Sequence, residues 1–214
     1  MAPRPYTLGK RAQLAAATRQ RILDAIVELH AERGVAATTA ADIAARADVA
    51  VATVSRYYPS VEHMVQSCGA HLRMMIPPPP EQLFEGVVGL EARVGMLVER
   101  WYAFYERRAP WLRRAYADAD RVPALGESLS RAHQHHEAVV RLALAPFDLS
   151  EPVVRVTIAL TSAPYWQSIV DTGLRSADAA EVTTEMLLAW IRNPSPLIAT
   201  IGVDNRADTH HRDR

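Results

Sequence analysis

The chain has 214 residues, a formal net charge of zero and one cysteine, and 49% of its residues are hydrophobic. This length and apolar content allow one large or two small domains with real cores, whereas a single cysteine excludes an intramolecular disulfide framework and fits the reducing cytoplasm. The neutral balance excludes a protein coated in basic residues, and no run of about 18 apolar residues predicts a membrane span. We therefore expect a cytoplasmic globular protein without a membrane segment.

The start of the chain is locally basic. Residues 1–21 contain no acidic residue, and their basic residues are Arg4, Lys10, Arg11, Arg19 and Arg21. Such a cluster of like charge is typical of an interaction tail rather than of a packed element. We predict a basic flexible arm over residues 1–17.

Helical periodicity dominates the rest of the chain, and no stretch shows sustained two-residue alternation. The pattern predicts an all-α fold. In the first helix the apolar residues between Ile22 and His30 recur on one face. Gly34 follows at a position suited to a left-handed helix cap.

Two short helices come next, over residues 40–46 and about 50–57. Thr38 or Thr39 can cap the first of them, because a threonine side chain accepts a hydrogen bond from a free backbone N–H. Asp48 lies in the turn, where aspartate tolerates a left-handed backbone better than most residues. The second short helix carries almost only small residues, so it can contribute little to a core.

The stretch "PPPP" at 77–80 ends the next helix, about 61–75, because proline cannot continue a helix. Beyond this joint an apolar seam at alternating three- and four-residue steps predicts a long helix, roughly 82–108. The remaining predicted helices span about 110–119, 123–145, 150–172 with a kink at Pro164, and 178–192. The polar residues 201–214 are predicted to be a disordered tail.

Two short helices joined by a tight turn are the helix-turn-helix arrangement, whose second helix enters the DNA major groove. A groove about 12 Å wide leaves no room for bulky side chains on a helix 10–12 Å across, and "VAVATVS" supplies small ones. Thr53 and Ser55 can hydrogen-bond bases or phosphates, and Arg56 and Tyr57 can bind phosphates. The basic arm could follow the backbone or enter a minor groove. Short alanine-rich helical pairs also occur in ordinary bundles, so the pattern alone leaves both readings open.

Residues 18–66, "TRQRILDAIVELHAERGVAATTAADIAARADVAVATVSRYYPSVEHMVQ", resemble the DNA-binding domain of the tetracycline-repressor (TetR) family of transcriptional regulators. The resemblance implies an N-terminal three-helix helix-turn-helix domain over 18–66. It also implies a C-terminal helical ligand-binding and dimerisation domain over 67–200. The partners it implies are a palindromic double-stranded operator, a second copy of the chain and a small-molecule effector.

The expected DNA-contacting residues are Arg19, Thr39, Ala50, Val51, Thr53, Ser55, Arg56 and Tyr57. Carried over by position, the resemblance makes Ala50–Tyr57 the groove-entering helix and gives phosphate contacts to Thr39 and Tyr57, whereas Arg19 belongs to the basic start of the chain. This chain departs from the family pattern where a turn glycine is replaced by Asp48, and a serine or lysine by Ala50 and Val51. The lysine usual after "PS" is replaced by Val61. These departures remove expected phosphate or cap donors.

The second half carries most of the large aromatic residues, which either fill a core or line the family's ligand pocket. The expected pocket residues are Trp101, Tyr105, Trp111, Tyr116, His133, His136 and Trp166. Only His133 and His136 of "RAHQHHE" share a helix face, and a metal site usually needs a further ligand, so we expect no metal and no cofactor.

The last two helices are apolar over a broad surface, which suits either packing within one chain or the four-helix dimer interface that the family implies. The expected interface residues are Val156, Leu160, Val182, Met186 and Trp190. We interpret the chain as a ligand-responsive regulator, most simply a repressor that a largely hydrophobic or aromatic molecule releases from its operator. The helix at 61–75 is expected to transmit the effect of the ligand to the DNA-binding domain. The alternatives are a ligand-independent DNA-binding protein and an all-helical enzyme. No nucleophile–base pair or ligand cluster supports an enzyme.

Overall fold

The structure, a computed structural model, describes residues 6–193, and within that range it contains helices and no strand. The described α-helices are α1 (Tyr6–Arg33), α2 (Ala40–Ala47), α3 (Val51–Tyr57), α4 (Val61–Met75), α5 (Leu90–Asp118), α6 (Pro123–Leu144), α7 (Glu151–Leu160), α8 (Ala163–Val170) and α9 (Ser176–Arg192). Short 3-10 helices occupy Glu81–Phe84 and Ala145–Phe147. The all-α prediction is therefore confirmed. The predicted tail, 201–214, lies outside the described residues.

The chain divides into two compact units. The first unit comprises the residues up to Ile76 together with Arg108–Arg131, and the second comprises Pro77–Arg107 and the residues from Ala132 onward. α5 therefore begins in the second unit and ends in the first. The domain boundary predicted between residues 66 and 67 falls inside α4, all of which belongs to the first unit.

The N-terminal segment differs from the expected flexible arm, because α1 already begins at Tyr6. Residues 6–17 are the first turns of this helix, and the side chains from Gly9 to Ala17 are exposed. The physical reason is local: "AQLAAAT" is rich in alanine, which has the highest helix propensity, and no proline interrupts the run. Arg4 lies outside the described residues.

The helix ends of the first unit follow their sequence signals. Thr39 Oγ1 accepts from the Asp42 N–H at 3.1 Å, and the Asp42 carboxylate accepts from the Thr39 N–H at 2.9 Å, which forms a capping box. Asp48 ends α2 in the left-handed conformation, with φ 52°. Ser60 caps α4 by accepting from the His63 N–H at 3.2 Å.

The core of the first unit lies between α1, α2, α3 and α4. Its fully buried side chains include Ile22, Ile26, Leu29, Ile43, Val54 and Tyr58. Val54 is the buried residue of α3 in this core, Tyr58 lies at the end of that helix, and the half-buried Tyr57 packs against the core. α3 is therefore anchored along one narrow edge and leaves the rest of its surface outside the core.

α5 departs from the predicted helices at both ends. It starts at Leu90 rather than near residue 82, because Gly86 and Gly89 have φ values of 74° and 95° that break the helix. It also continues through Pro110, where two helices were predicted. A proline inside a helix removes one backbone hydrogen bond, and packing on either side of Pro110 compensates for that loss.

The predicted helix over 150–172 is two helices, α7 and α8, rather than one kinked helix. The chain breaks at Thr161, and Ser162 then caps α8 by accepting from the Tyr165 N–H. Pro164 lies in the first turn of α8, where a missing N–H costs no helical hydrogen bond. Pro164 therefore starts a helix here instead of bending one.

The core of the second unit is formed by α5, α6, α7, α8 and α9. Its buried residues include Val94, Leu97, Val98, Trp101, Val139, Val140, Ile158, Trp166 and Leu187. Among the described residues, no helix is long and apolar enough to cross a bilayer.

Candidate DNA-binding surface and aromatic cluster

α3 presents a surface of small side chains. Ala50, Val51, Ala52, Ser55 and Arg56 are exposed, and Val51 has an exposed fraction of 47%. The predicted contact residues Thr53 and Tyr57 are half-buried at the sides of the same helix. The exposed side chains are short enough for the helix backbone to approach the floor of a groove.

A cation lies at the C-terminal end of this surface. The Arg56 guanidinium lies over the Tyr57 ring, 4.9 Å from its centroid. The Tyr58 hydroxyl donates to the Arg19 carbonyl oxygen of α1 at 3.4 Å. This contact places the exposed Arg19 of α1 beside the end of α3, so both helices contribute positive charge to one region.

Other arginines of the first unit are already paired with carboxylates. Arg46 forms ion pairs at 2.9 Å with Glu28 and Glu32, and Arg33 forms one at 3.1 Å with Asp42. These pairs join α1 to the α2 region, and none of the described ion pairs contains Arg19, Arg21 or Arg56. The latter three therefore supply charge that phosphates can use.

Two predicted positions near the helix ends behave differently. The Thr39 hydroxyl donates to the Asp42 carboxylate at 2.6 Å, so its side chain already serves the capping box of α2. Val61 begins α4 and has an exposed fraction of 44%. A lysine would be accommodated at this exposed position, and its replacement by valine removes a cation without filling a core.

Three side chains on one face of α5 bind the backbone around the end of α1. The Trp111 indole N–H donates to the Val27 carbonyl at 2.9 Å, and the Arg114 guanidinium donates to the Glu32 carbonyl at 3.0 Å. Asp118 accepts from the Ala36 N–H at 3.0 Å. We call this set the α5 tether.

Asp118 is almost completely buried and also forms an ion pair with Arg121. Gly34 lies against it with φ 87°, and a Cβ atom at this position would lie 2.5 Å from the Asp118 carboxylate. Burial lowers the pKa of the neighbouring His30 to about 4, while the charge of Asp118 acts in the opposite direction. His30 is therefore neutral near pH 7.

Part of the predicted ligand set meets in the second unit and forms an aromatic cluster, defined as Trp101, Tyr105, His136 and Trp166. The Trp101 ring lies 5.5 Å from Tyr105 and, edge-on at 89°, 4.7 Å from His136. Tyr105 in turn lies 5.9 Å from Trp166, all distances being between ring centroids. His133 is exposed, with its ring 6.3 Å from His136.

The other two predicted ligand residues lie in the first unit. Trp111 belongs to the α5 tether and packs against the core of that unit. Tyr116 has an exposed fraction of 44%. The structure thus separates these two residues from the aromatic cluster of the second unit.

Thr161, at the break between α7 and α8, is the polar centre of the aromatic cluster and was not predicted. Its hydroxyl contacts His136 Nε2 at 2.9 Å, and its carbonyl accepts from the Tyr105 hydroxyl at 3.2 Å. Ser176 accepts from the Trp166 indole N–H at 2.9 Å. Burial lowers the pKa of His136 to about 4, so this ring is neutral near pH 7.

The described residues contain no group of three or more His, Cys, Asp or Glu side chains arranged to hold a metal ion. A shallow cavity of about 370 Å³ lies at the end of α6, and Phe84, Arg93 and Leu142 are among its lining residues. Arg93 already donates to the carbonyls of Val87 at 2.9 Å and Leu142 at 3.1 Å. The Arg93 guanidinium therefore binds the loop before α5 and the C-terminal end of α6.

α9 has apolar residues on two faces. Ala179, Thr183, Leu187 and Ile191 point into the second unit, whereas Val182 and Met186 have exposed fractions of 43% and 50%. The other predicted interface residues are half-buried: Val156, Leu160 and Trp190.

Residues 22–68 match the family model described as "Bacterial regulatory proteins, tetR family". The matched segment runs from the packed part of α1 to the middle of α4. This segment therefore belongs to the TetR family. No curated protein matches it.

Solved structures of TetR-like proteins share the fold. A TetR-family regulator from Mesorhizobium loti is 18% identical with a TM-score of 0.57, covering 82% of this chain and 96% of its own. Salmonella enterica GusR is 20% identical with a TM-score of 0.54, at 82% and 95% coverage. A multidrug binding protein, EbrR, complexed with imidazole, is 19% identical with a TM-score of 0.53, at 78% and 88% coverage.

The match leaves the second unit of the chain without a family model, although the solved structures extend over it. Sequence reasoning missed Thr161, the tether residues Arg114 and Asp118, and the His135 contact with the Pro79 carbonyl at 2.9 Å. A buried acid or threonine has no periodic signal in the sequence. Only the acidic residues Asp118 and Asp120, which follow four arginines between residues 107 and 114, could have drawn attention.

Proposed function

We propose that this TetR-family regulator is a cytoplasmic, ligand-responsive repressor that binds a palindromic operator as a homodimer. The single observation that carries the DNA part is the surface of α3, which exposes small side chains while Val54 and Tyr58 hold the helix. Such a surface suits insertion into the major groove. Ala50, Val51, Thr53 and Ser55 would face the bases.

Phosphate contacts would come from the ends of this surface. Arg56 and Tyr57 lie at the C-terminal end of α3, and Arg19 lies beside them on α1. Thr39 lies at the start of α2, and a phosphate would compete there with the Asp42 carboxylate, to which both the hydroxyl and the backbone N–H of Thr39 donate. These contacts would fix register rather than read sequence.

The first turns of α1 would extend the footprint. They carry Lys10 and Arg11 on an exposed helix, and about eleven residues at 1.5 Å per residue separate Lys10 from Arg21, a distance of roughly 16 Å. A helix holds these charges at fixed spacing, so the extension would follow the phosphate backbone rather than search for it as a flexible arm.

Homodimerisation would use the outward face of α9. Val182 and Met186 are exposed on a helix whose opposite face is already buried, and Val156, Leu160 and Trp190 are half-buried. Two reading heads must be held about 34–36 Å apart to match half-sites, which needs a fixed scaffold such as this.

Ligand response would depend on the aromatic cluster, whose four rings suit an apolar aromatic molecule. The description of EbrR as a multidrug binding protein supports a small-molecule ligand for a protein of this fold. α5 carries Trp101 and Tyr105 of the cluster and also the α5 tether. We therefore propose that α5, together with the α4 predicted from sequence, transmits the effect of the ligand to the DNA-binding surface. A ligand that favours one state of α5 would change DNA affinity by linkage.

The test of DNA recognition is selection of bound fragments from a random DNA pool, followed by footprinting. A palindrome with half-sites about one helical turn apart is the expected result. Ala52→Trp, which adds bulk to the exposed face of α3, should abolish specific binding without lowering the melting temperature. Val88→Trp, at a position that is 89% exposed in the second unit, is the matched control and should bind DNA like the parent. Unchanged DNA binding by Ala52→Trp would refute groove insertion of α3.

Ligand response is tested separately, with the selected operator and a library of small aromatic molecules. A molecule that releases the DNA and raises the melting temperature is the expected finding. Replacement of Tyr105 by leucine should abolish this release while leaving operator affinity unchanged. If release persists in that variant, the aromatic cluster is not the ligand site.

A further inference from the structure

We propose that the aromatic cluster binds an uncharged, flat molecule that accepts a hydrogen bond from Trp101 Nε1–H and donates one to His136 Nδ1. This inference rests on the proposed ligand-binding role of the cluster and adds the chemical class of the ligand. A planar ring that carries an adjacent carbonyl and N–H, as in an aromatic lactam, presents both groups on one edge.

The donor is the indole of Trp101. This side chain is only 2% exposed, and its Nε1–H has no hydrogen-bond acceptor. By contrast, the indole N–H groups of Trp111 and Trp166 each have an acceptor at 2.9 Å. A buried donor without a partner is destabilising and rare in folded proteins, so Trp101 Nε1–H is suited to bind an acceptor that arrives with a ligand.

The acceptor follows from the hydrogen bonds of Thr161. A hydroxyl has one proton, and Thr161 Oγ1 lies 2.7 Å from the Thr157 carbonyl, to which it donates. Thr161 Oγ1 must then accept at its contact with His136, 2.9 Å away, which assigns the proton of the imidazole to Nε2. In the neutral ring Nδ1 consequently carries a lone pair, and burial, which lowers the pKa to about 4, keeps the ring neutral.

The two groups belong to touching rings. Trp101 and His136 stand edge-on with ring centroids 4.7 Å apart, and the proposal places the carbonyl and N–H edge of the ligand against this pair. The Tyr105 hydroxyl is already engaged with the Thr161 carbonyl at 3.2 Å, and the Trp166 indole with Ser176. These two hydroxyl and indole groups are therefore not needed for the ligand, and the rings that carry them would provide apolar surface for a planar body.

The charge of the ligand follows from the same residues. Trp101, Tyr105, His136 and Trp166 are all uncharged near pH 7, and Thr161 between them is neutral. A cationic or anionic ligand would lose its hydration here without gaining an opposite charge. The cluster therefore selects against ions and in favour of neutral molecules.

The test uses four probes of similar size and the full chain: 2-quinolinone, N-methyl-2-quinolinone, naphthalene and N-methylquinolinium. Affinities are measured by titration calorimetry, and the exchange rate of the Trp101 indole proton by NMR. We expect 2-quinolinone to bind most tightly and to slow that exchange. N-methyl-2-quinolinone, which lacks the donor, should bind about fivefold more weakly, naphthalene more weakly still, and N-methylquinolinium not at all.

Trp101→Phe keeps a ring and removes the donor. It should weaken 2-quinolinone binding about fivefold and leave naphthalene binding within a factor of about two, so naphthalene serves as the check on the shape of the site. His136→Phe should remove the difference between 2-quinolinone and its N-methyl derivative. Retention of a cooperative melting transition confirms that both variants fold.

Three results would overturn the proposal: binding of N-methylquinolinium as tight as that of 2-quinolinone, unchanged 2-quinolinone affinity in Trp101→Phe, or no binding of any probe. Release of operator DNA is measured separately. The predicted order of affinities without any release would support this chemistry and refute ligand control of DNA binding.

Discussion

The two units of this chain are ordered by different kinds of contact. In the first unit, short helices are defined by caps and turns that lie within a few residues of one another, such as the Thr39–Asp42 box. In the second, order comes from rings and hydroxyls far apart in sequence, such as Tyr105 and Thr161, 56 residues apart. The helix-turn-helix region is therefore specified by local contacts, and the aromatic cluster by contacts between residues far apart in sequence.

The α5 tether adds long-range contacts to the first unit, whose helix ends are otherwise set by local ones. Trp111 and Val27 are 84 residues apart, and Arg114 and Asp118 bind positions similarly distant along the chain. All three side chains bind backbone atoms, so these hydrogen bonds do not depend on the side chains of the residues that they bind. Long-range hydrogen bonds therefore fix α1 and the turn that follows it to the end of α5.

The largest expected effect is that of Gly34→Ala. A Cβ would lie 2.5 Å from the Asp118 carboxylate, and φ of 87° is strained for alanine, so the free energy of unfolding of the first unit should fall by about 3 kcal/mol. Urea unfolding followed by circular dichroism measures the change. Gly126→Ala is the control in the same unit, since its Cβ would have 3.9 Å to the nearest atom and should not destabilise. Equal stability of both variants would contradict the close contact with Asp118.

A pH titration probes both units together, because each buries one neutral histidine. The folded-state pKa values of His30 and His136 are about 4, below the ordinary value of 6.5. The unfolded chain therefore binds more protons between these values, and stability falls as pH decreases from 6.5 to 4, by up to about 3 kcal/mol per histidine.

Chemical denaturation at a series of pH values measures this slope. His30→Leu should flatten it for the first unit and His136→Leu for the second. A slope that neither variant reduces would show that other groups dominate the acid sensitivity.

A smaller effect is expected for Trp111→Phe. The substitution keeps an aromatic ring against the core and removes only the hydrogen bond to the Val27 carbonyl, so the first unit should lose about 1 kcal/mol. Thermal unfolding with the selected operator absent gives the stability, and operator release with ligand gives the coupling. If α5 transmits the effect of the ligand, this variant should also need more ligand for release of the operator. An unchanged release curve would instead indicate that α4 transmits it.

The smallest effect is expected for Val61→Lys, which restores the cation that the family pattern carries. The position is 44% exposed, so stability should stay within about 0.5 kcal/mol. One additional phosphate contact should increase the slope of log affinity against log salt by about 0.9. Val88→Lys, exposed in the second unit, provides the comparison, and an equal slope in both variants would mean that the start of α4 does not meet a phosphate.

The sequence predicted the first unit closely where signals are local. Gly34, Thr39 and Asp48 lie at helix ends as expected, because capping is decided by backbone groups within four residues. Prolines were less informative. Pro110 lies inside α5 and Pro164 in the first turn of α8, since a proline fits either a helix start or a tolerated interior position, and packing decides which.

By itself, the sequence determined that this chain is all-α and that a small-faced helix follows a capped partner, because periodicity and capping are properties of neighbouring residues. The tertiary structure decided which aromatic side chains meet. Trp101 packs against His136, whereas Trp111 donates a hydrogen bond to α1, although the two tryptophans lie ten residues apart on one helix. The reason is that the apolar periodicity of a long helix does not specify which neighbour each side chain meets. Only the packed chain assigns each ring to a neighbour and leaves the buried Trp101 indole N–H without an acceptor.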